Sequence, residues 1–467
     1  MLQKYCNVFN RKCRIFCQNQ VETEQEKRVM HKKPPAHKQG SFLYQDLLEQ
    51  LNPKDPLLIL AKNIPWESFE RDFASMYSLV GRPAKPVRLM VGLLLLKQLE
   101  NLSDERIVEA WARNPYYQAF CGMQYFQWTL PCDPTDLVPF RKRIGATGME
   151  KIFQASVALH GEKALEPEVV VDTTVQEKAI AFPTDTRLRV KIIGRCWKIA
   201  RAEKLSLRRS YRRELREKLR VIRFGKKDKR ITAAAMRWVK IMAAALLRDI
   251  ERKLPVNRRV ALQDELALYR RTLSQTRKDK DKSYSLHEPD VLCISKGKEH
   301  KKYEFGAKAA LAMTKESCLL VGARSFSRNV YDGDTLDELL PQIQRIRGQS
   351  PEFAICDRGF RGRVQVDSTK ILLPGVPPPG ATDYAKRKTR SHFRRRSAIE
   401  PVIGHLKSDF RLARNYLKGV SGDAMNLLLA AAAFNFRKWM AALAHGFLFV
   451  LLFLCGLSHQ KDCKALA

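Results

Sequence analysis

Three carboxylates stand in settings that demand a reason. Asp172 follows Val169-Val170-Val171 and precedes Thr173-Thr174, a β-branched run of buried-strand type punctuated by Pro167. Asp357 closes the run Phe353-Ala354-Ile355-Cys356, directly before Arg358-Gly359-Phe360, and Glu400 lies in a helical stretch flanked by bases. Burying an ionised carboxylate is costly unless it is paired or metal-bound. Convergent carboxylates are the usual ligands of Mg2+ or Mn2+ in phosphoryl transfer, where two ions can activate an attacking oxygen and steady a leaving one. The competing explanation is structural, because strand-end aspartates also cap turns and form salt bridges.

The stretch around Glu400 adds weight to the chemical reading. Phe393, Arg396, Glu400 and Lys407 follow one another at intervals of three, four and seven residues. On one amphipathic helix beginning near Arg394, Arg396 and Glu400 share a face and Lys407 returns to it two turns later. The two cations would then hold the phosphates of a DNA strand while Glu400 completes a metal shell. A surface ion-pair row is the bland alternative.

Charge across the whole chain agrees with a polyanionic partner. Lys and Arg number 85 against 49 Asp and Glu, a formal net charge of +36 on 467 residues, and a compact body with that excess repels itself unless a polyanion is its partner. Hydrophobic residues at 45% are enough for a substantial core. The 11 cysteines show neither CxxC pairs nor matched Cys/His spacings, which argues against a zinc site or a disulfide framework.

Several other residues compete for attention. Asp332 and Asp334 in NVYDGDTL rival Asp357 for the second catalytic position, but the neighbouring Gly333 and Thr335 favour a turn and helix cap. His405 lies five residues after Glu400 and is read as a local hydrogen-bonding group. Arg141 and Arg143 are candidates for the start of a DNA-facing helix, and the basic run from Arg208 to Arg230 for lying along DNA.

These residues need a framework, and the pattern supplies one. Residues 1–40 read as a flexible leader. Residues 41–161 read as a helical N-terminal domain, with apolar residues at three-to-four spacing and Leu102-Ser103-Asp104-Glu105 as a break and cap. Residues 162–440 read as an α/β domain with a mixed sheet, built on strands at 168–174, YEFGAKAALAMT, CLLVGARSFS and 353–357, and interrupted by a basic helical insertion at about 187–284. The stretch WMAALAHGFLFVLLFLCGL from Trp439 to Leu457, which runs into an apolar tail at 441–467, is long enough to cross a bilayer. A buried terminal helix continuing AMNLLLAAAAFNFRKW is preferred over a membrane anchor.

Taken in order, the motifs resemble the DDE transposases of bacterial insertion sequences, a group marked by a Tyr-x2-Arg-x3-Glu-x6-Lys signature. Arg396, Glu400 and Lys407 match three of the four signature positions, and Phe393 stands at the tyrosine, without the hydroxyl that could contact a DNA phosphate. VVVDTT around Asp172 resembles the first-aspartate strand, and CDRGF around Asp357 matches the second-aspartate pattern. Upstream, GRPAKPVRLMVGLLLLKQLENLSDERIVEAWARNPYYQAFCG is similar to the N-terminal helical domain of the insertion-sequence five and eleven-eighty-two-like groups.

The resemblance covers roughly residues 41 to 440. It implies an RNase H-like catalytic sheet, with Asp172, Asp357 and Glu400 catalytic and holding two Mg2+ or Mn2+ ions. It further implies DNA contact by Phe393, Arg396 and Lys407, with the element's terminal inverted repeats and target DNA as partners of a cytoplasmic homo-oligomer. The expected activity is phosphodiester cleavage followed by strand transfer. The alternatives are a catalytically silent, transposase-derived DNA-binding protein and a simple RNase H-like nuclease.

Overall fold

The computed structural model describes residues 46–454 apart from 78–83, 226–227, 277, 280, 296–301 and 376–381. The leader at 1–40 and the end of the apolar tail beyond 454 lie outside the described residues. Helices come first: α1 (Leu47–Gln50), α2 (Pro56–Asn63), α3 (Trp66–Ala74), α4 (Val87–Leu99), α5 (Asp104–Arg113), α6 (Pro115–Phe120) and α7 (Leu137–Ala158). Ser103 caps α5, its side chain accepting from the Arg106 amide, as the Ser-Asp-Glu signal predicts. Gly145 adopts φ 59° inside α7 and kinks it, a conformation that carries no Cβ penalty only in glycine.

The sheet begins with β1 (Glu168–Glu177), and five helices follow before it resumes. These are α8 (Asp185–Ala202), α9 (Arg212–Phe224), α10 (Lys229–Lys253), α11 (Val256–Ala261) and α12 (Gln263–Ser274). The chain then returns as β2 (Leu292–Ser295), β3 (Tyr303–Thr314), β4 (Leu320–Phe326), α13 (Leu336–Arg347), β5 (Phe353–Ile355), β6 (Gln365–Val366) and β7 (Thr369–Leu372). Three helices complete the described chain: α14 (Asp383–Phe393), α15 (Ile399–Ser408) and α16 (Gly419–Leu454).

The sheet is mixed, in the order β2-β3-β1-β5-β7-β6 with β4 also on β3. β1 pairs antiparallel with β3 and parallel with β5, which pairs parallel with β7. An antiparallel β4-β3-β1 half joined to a parallel β1-β5-β7 half is the sheet expected of an RNase H-like core. β3 covers YEFGAKAALAMT from end to end and is buried along nearly its whole length, which explains its unbroken run of small and apolar residues.

Burial divides the chain differently from its pattern of elements. One apolar core runs from Leu60 through the N-terminal helices and the sheet to Phe436, so the helices before β1 pack into the sheet's own core. α16, with Leu427 to Ala433 all buried, lies along α7 and β4 in that core. The helices between β1 and β2 bury a second set, from Ile192 to Leu273, among themselves. Among the described residues no helix is long and apolar enough to cross a membrane.

Candidate active site

β1 carries Asp172 through the centre of the sheet. Val169, Val170 and Val171 are buried, and Asp172 and Thr173 are half-exposed before burial resumes at Thr174. β5 delivers Asp357 to the same level. The parallel register pairs Val169 with Ala354 and Val170 with Ile355, and two further residues along each strand are Asp172 and Asp357. Both aspartates therefore stand two residues past the last β1–β5 pair, Asp357 beyond the end of β5 and Asp172 midway along β1, which continues to Glu177 against β3.

A backbone amide close downstream orients each carboxylate. Thr173 N donates to Asp172 Oδ1 at 2.7 Å, and Gly359 N donates to Asp357 Oδ1 at 2.8 Å, where Asp357 caps the 3-10 turn Arg358–Phe360. Glycine at 359 leaves room for both carboxylates, since a Cβ there would lie 2.9 Å from Asp357 Oδ1 and 3.1 Å from Asp332 Oδ2 and would displace them. Beneath the pair, Cys356 is fully buried, and burial followed by the charges of Asp357 and Asp172 pushes its thiol well above the usual range, with Arg396 opposing. Asp172, Asp357 and Arg396 thus act on one electrostatic neighbourhood.

The signature segment departs from the single helix expected from its spacing. Phe393 is the last residue of α14, Arg396 lies in a 3-10 turn (Arg396–Ala398), and Glu400 and Lys407 belong to α15. Pro401 explains the break. In a continuous helix its ring would clash with the Ser397 carbonyl and it could donate nothing to that carbonyl, whereas in the first turn of a new helix neither cost arises. Phe393 packs its ring against the main core. His392 and Arg395 beside it reach Glu168 and Glu316, each at 2.7 Å.

α15 buries Ile399, Val402 and Leu406 and packs on β1, while Glu400 is exposed. Its far end is held by the N-terminal helices, with Asn101 donating to the Ser408 carbonyl at 2.9 Å and Gln98 to the Phe410 carbonyl at 2.6 Å. His405 accepts the local role expected of it, 2.8 Å from Asp409 Oδ2. Arg141 does not face DNA. It is buried and makes a two-pronged bond to Asp104 at 2.9 and 2.6 Å, while Arg143 lies exposed over the Tyr77 ring at 4.3 Å.

Asp332 also differs from expectation. The predicted turn follows it, but its side chain does not cap that turn. Instead Asp332 Oδ1 accepts from Thr173 Oγ1 at 2.9 Å and lies 2.5 Å from Lys308 Nζ. The lysine in the apolar run GAKAALAM was the overlooked signal, since a lysine buried in a central strand needs an anion near it.

The structure thus brings Asp172 and Asp357 side by side, with Asp332 against both settings and the Glu400 helix packed on β1. Among the described residues no group of three His, Cys, Asp or Glu side chains is disposed to hold an ion. The donors that the two strands offer here are carboxylate oxygens, the buried thiol of Cys356 being held protonated, and oxygen donors suit a hard cation such as Mg2+ or Mn2+.

Comparison with known proteins bears on identity. Residues 45–143 match the family described as Transposase domain (DUF772), and residues 270–436 match the Transposase DDE domain. Asp357, Glu400 and the signature residues fall inside the second match, and Asp172 lies between the two. An uncharacterized protein, ORF8 in the nfe locus of Rhizobium meliloti, is 46% identical over 181 residues, 37% of this chain and 86% of that protein. No solved structure matches the chain. The family matches, the mixed sheet and the two aspartates level on adjacent strands lead to one conclusion: the chain belongs to the DDE transposases of the insertion-sequence type.

Proposed function

We propose that the protein binds the terminal inverted repeats of its own element, cleaves a phosphodiester at each end and joins the freed end to target DNA. The observation that carries this reading is the parallel register of β1 and β5, which sets Asp172 and Asp357 level on adjacent strands. Asp172, Asp357 and Glu400 would hold Mg2+ or Mn2+, two ions in this reading. When bound, the metal supplies positive charge where negative charge develops on the attacking and leaving oxygens. In the first step a water oxygen bonds to phosphorus, the bond from phosphorus to the 3′ oxygen breaks, and the strand leaves with a 3′ hydroxyl. In the second step that hydroxyl gives up its proton and attacks a target phosphodiester, releasing a target 3′ hydroxyl.

The chain's own residues set the geometry. The amides of Thr173 and Gly359 orient the two aspartates, and α15, which bears Glu400, packs on β1. Arg396 and Lys407 bind strand phosphates, and Phe393 seats the segment against the core. Residues 41–161 and the exposed bases of α9 and α10 extend the DNA contact, and the protein works in the bacterial cytoplasm as a homo-oligomer on DNA. Within the transposases, the upstream helical pattern favours the insertion-sequence five and eleven-eighty-two-like groups.

The test is cleavage of DNA bearing the element's ends in Mg2+ or Mn2+, comparing wild type with Asp172→Ala, Asp357→Ala and Glu400→Ala, with gel shifts in parallel. Wild type should cut and the variants should bind without cutting. Binding without cutting by wild type in either metal would instead establish a silent DNA-binding protein. Cleavage without joined products would leave a nuclease.

A further inference from the structure

Lys308 is a charged residue in the most buried strand of the molecule. It lies on β3 opposite Val175 of β1, and its side chain is 9% exposed. Its ammonium donates to the Val330 carbonyl at 2.6 Å and reaches Asp332 Oδ1 at 2.5 Å. The same Oδ1 accepts the hydroxyl of Thr173 at 2.9 Å. Thr173 is therefore held by its side chain while its amide, one residue after Asp172, donates to Asp172 Oδ1 at 2.7 Å. On the other side Asp332 Oδ2 faces Gly359, whose amide orients Asp357.

We infer that Lys308 and Asp332 form a positioning pair that, through the hydroxyl of Thr173, fixes the Asp172 carboxylate for metal binding. The inference rests on the reading of Asp172 and Asp357 as metal-holding residues and adds three residues to it. A threonine in a strand has few χ1 rotamers, and an anchored hydroxyl selects one of them, which steadies the residue whose amide Asp172 uses. The ammonium holds the Asp332 carboxylate turned toward Thr173, so it supports the first aspartate of the site. Asp334, two residues on, has no part in this chain of bonds. It pairs with Arg363 at 3.0 Å.

The experiment reads Mn2+ binding by electron paramagnetic resonance alongside DNA-end cleavage and thermal melting, on the full chain. Thr173→Val keeps the shape and removes the hydroxyl. It should weaken Mn2+ binding and slow cleavage by about 10- to 100-fold, the range typical of residues that orient metal ligands. Thr173→Ser should restore most of both. Asp332→Asn, which keeps an acceptor for Thr173 and loses the charge that Lys308 needs, should fall between them, and Asp334→Asn should match wild type. Wild-type Mn2+ binding in Thr173→Val and Asp332→Asn would overturn the inference, as would losses that track a fall in melting temperature and are not rescued by serine. Wild type that binds Mn2+ without cutting would remove the transposition reading, while the variant series still decides the positioning role. Wild type that binds no Mn2+ would overturn both.

Discussion

The body and the insertion use charge in opposite ways. In the body, several charged side chains are largely buried and paired: Arg141 with Asp104, Lys308 with Asp332, Lys315 with Glu168, and Lys178 with both Glu288 and Asp423. In the insertion they are mostly outside, as in Arg213–Glu217, where the side chains are 87% and 59% exposed. Burial makes a charge part of the architecture, because removing one partner strands the other in a medium that cannot solvate it. An exposed charge contributes little to stability and much to the field that a polyanion meets. The two regions also keep separate apolar cores. Chemistry in the body and long-range attraction in the insertion is the division of labour this suggests.

The sharpest test of that division is isosteric neutralisation in the body. Asp172→Asn and Asp357→Asn should each lower end cleavage by at least about a thousandfold, since several kcal/mol of charge stabilisation is at stake and each 1.4 kcal/mol is tenfold. Affinity for DNA ends should change little, because metal carboxylates are not phosphate contacts. A variant that still cuts within tenfold of wild type, measured on labelled ends in Mn2+, would show that its carboxylate is not in the reacting centre.

Stability offers the second contrast. Arg141→Met leaves Asp104 buried with Lys97 alone, and the loss should be about 3–5 kcal/mol. Arg213→Ala in the insertion should stay within about 0.5 kcal/mol. Urea titration of both variants decides it, and equal losses would erase the distinction between the regions. Burial of Asp104 works against its charge, but hydrogen bonds from Arg141 and the charge of Lys97 prevail and hold its carboxyl below the usual range. A depressed carboxylate stabilises the fold above its unfolded pKa of about 3.9 and loses that contribution as pH falls through its lower folded value. Wild type should therefore lose stability below about pH 4 more steeply than Arg141→Met.

What the sequence disclosed follows the same line between local and distant causes. The strand β3, the Ser103 cap and the helical insertion were legible because period, capping and composition are local signals. Both strand aspartates were visible, since a carboxylate in an apolar run is conspicuous. Their parallel register was not, because pairing brings together residues separated by 185 positions, and nothing near Asp172 encodes its neighbour. The break before α15 was encoded by Pro401, and the three-to-four spacing of the signature masked it. Arg141 looked like a surface base because its partner Asp104 lies 37 residues away.

Removing the insertion tests the other half of the comparison. Its two stems are close: Asp185 at the start of α8 lies 3.3 Å from both Lys282 Nζ and Gln275 Nε2. A short Gly/Ser linker can therefore replace residues 186–281 without stretching β1 from β2. The shortened chain should fold and keep the main core. DNA affinity should fall by about 10- to 100-fold near 0.1 M salt, with a shallower dependence on salt, because fewer phosphates are neutralised. An unchanged salt slope would assign the insertion to some task other than binding DNA.

The smallest expected effect concerns Phe393, where the family signature has tyrosine. Its ring is partly buried against the main core, at the end of α14 and just before the turn that carries Arg396. A side chain so placed acts chiefly by holding the segment, and in that role the absent hydroxyl costs little. Phe393→Tyr should change cleavage by less than about threefold, below the roughly 1 kcal/mol that an ordinary new hydrogen bond contributes. Phe393→Ala should destabilise the chain by about 1–3 kcal/mol, less than a fully buried phenylalanine would, because the ring is only partly covered. Cleavage measured across a salt series separates the two causes. A gain of tenfold or more in Phe393→Tyr, largest at high salt where phosphate contacts are weakest, would show that the hydroxyl reaches DNA and that this chain works below the level its framework allows.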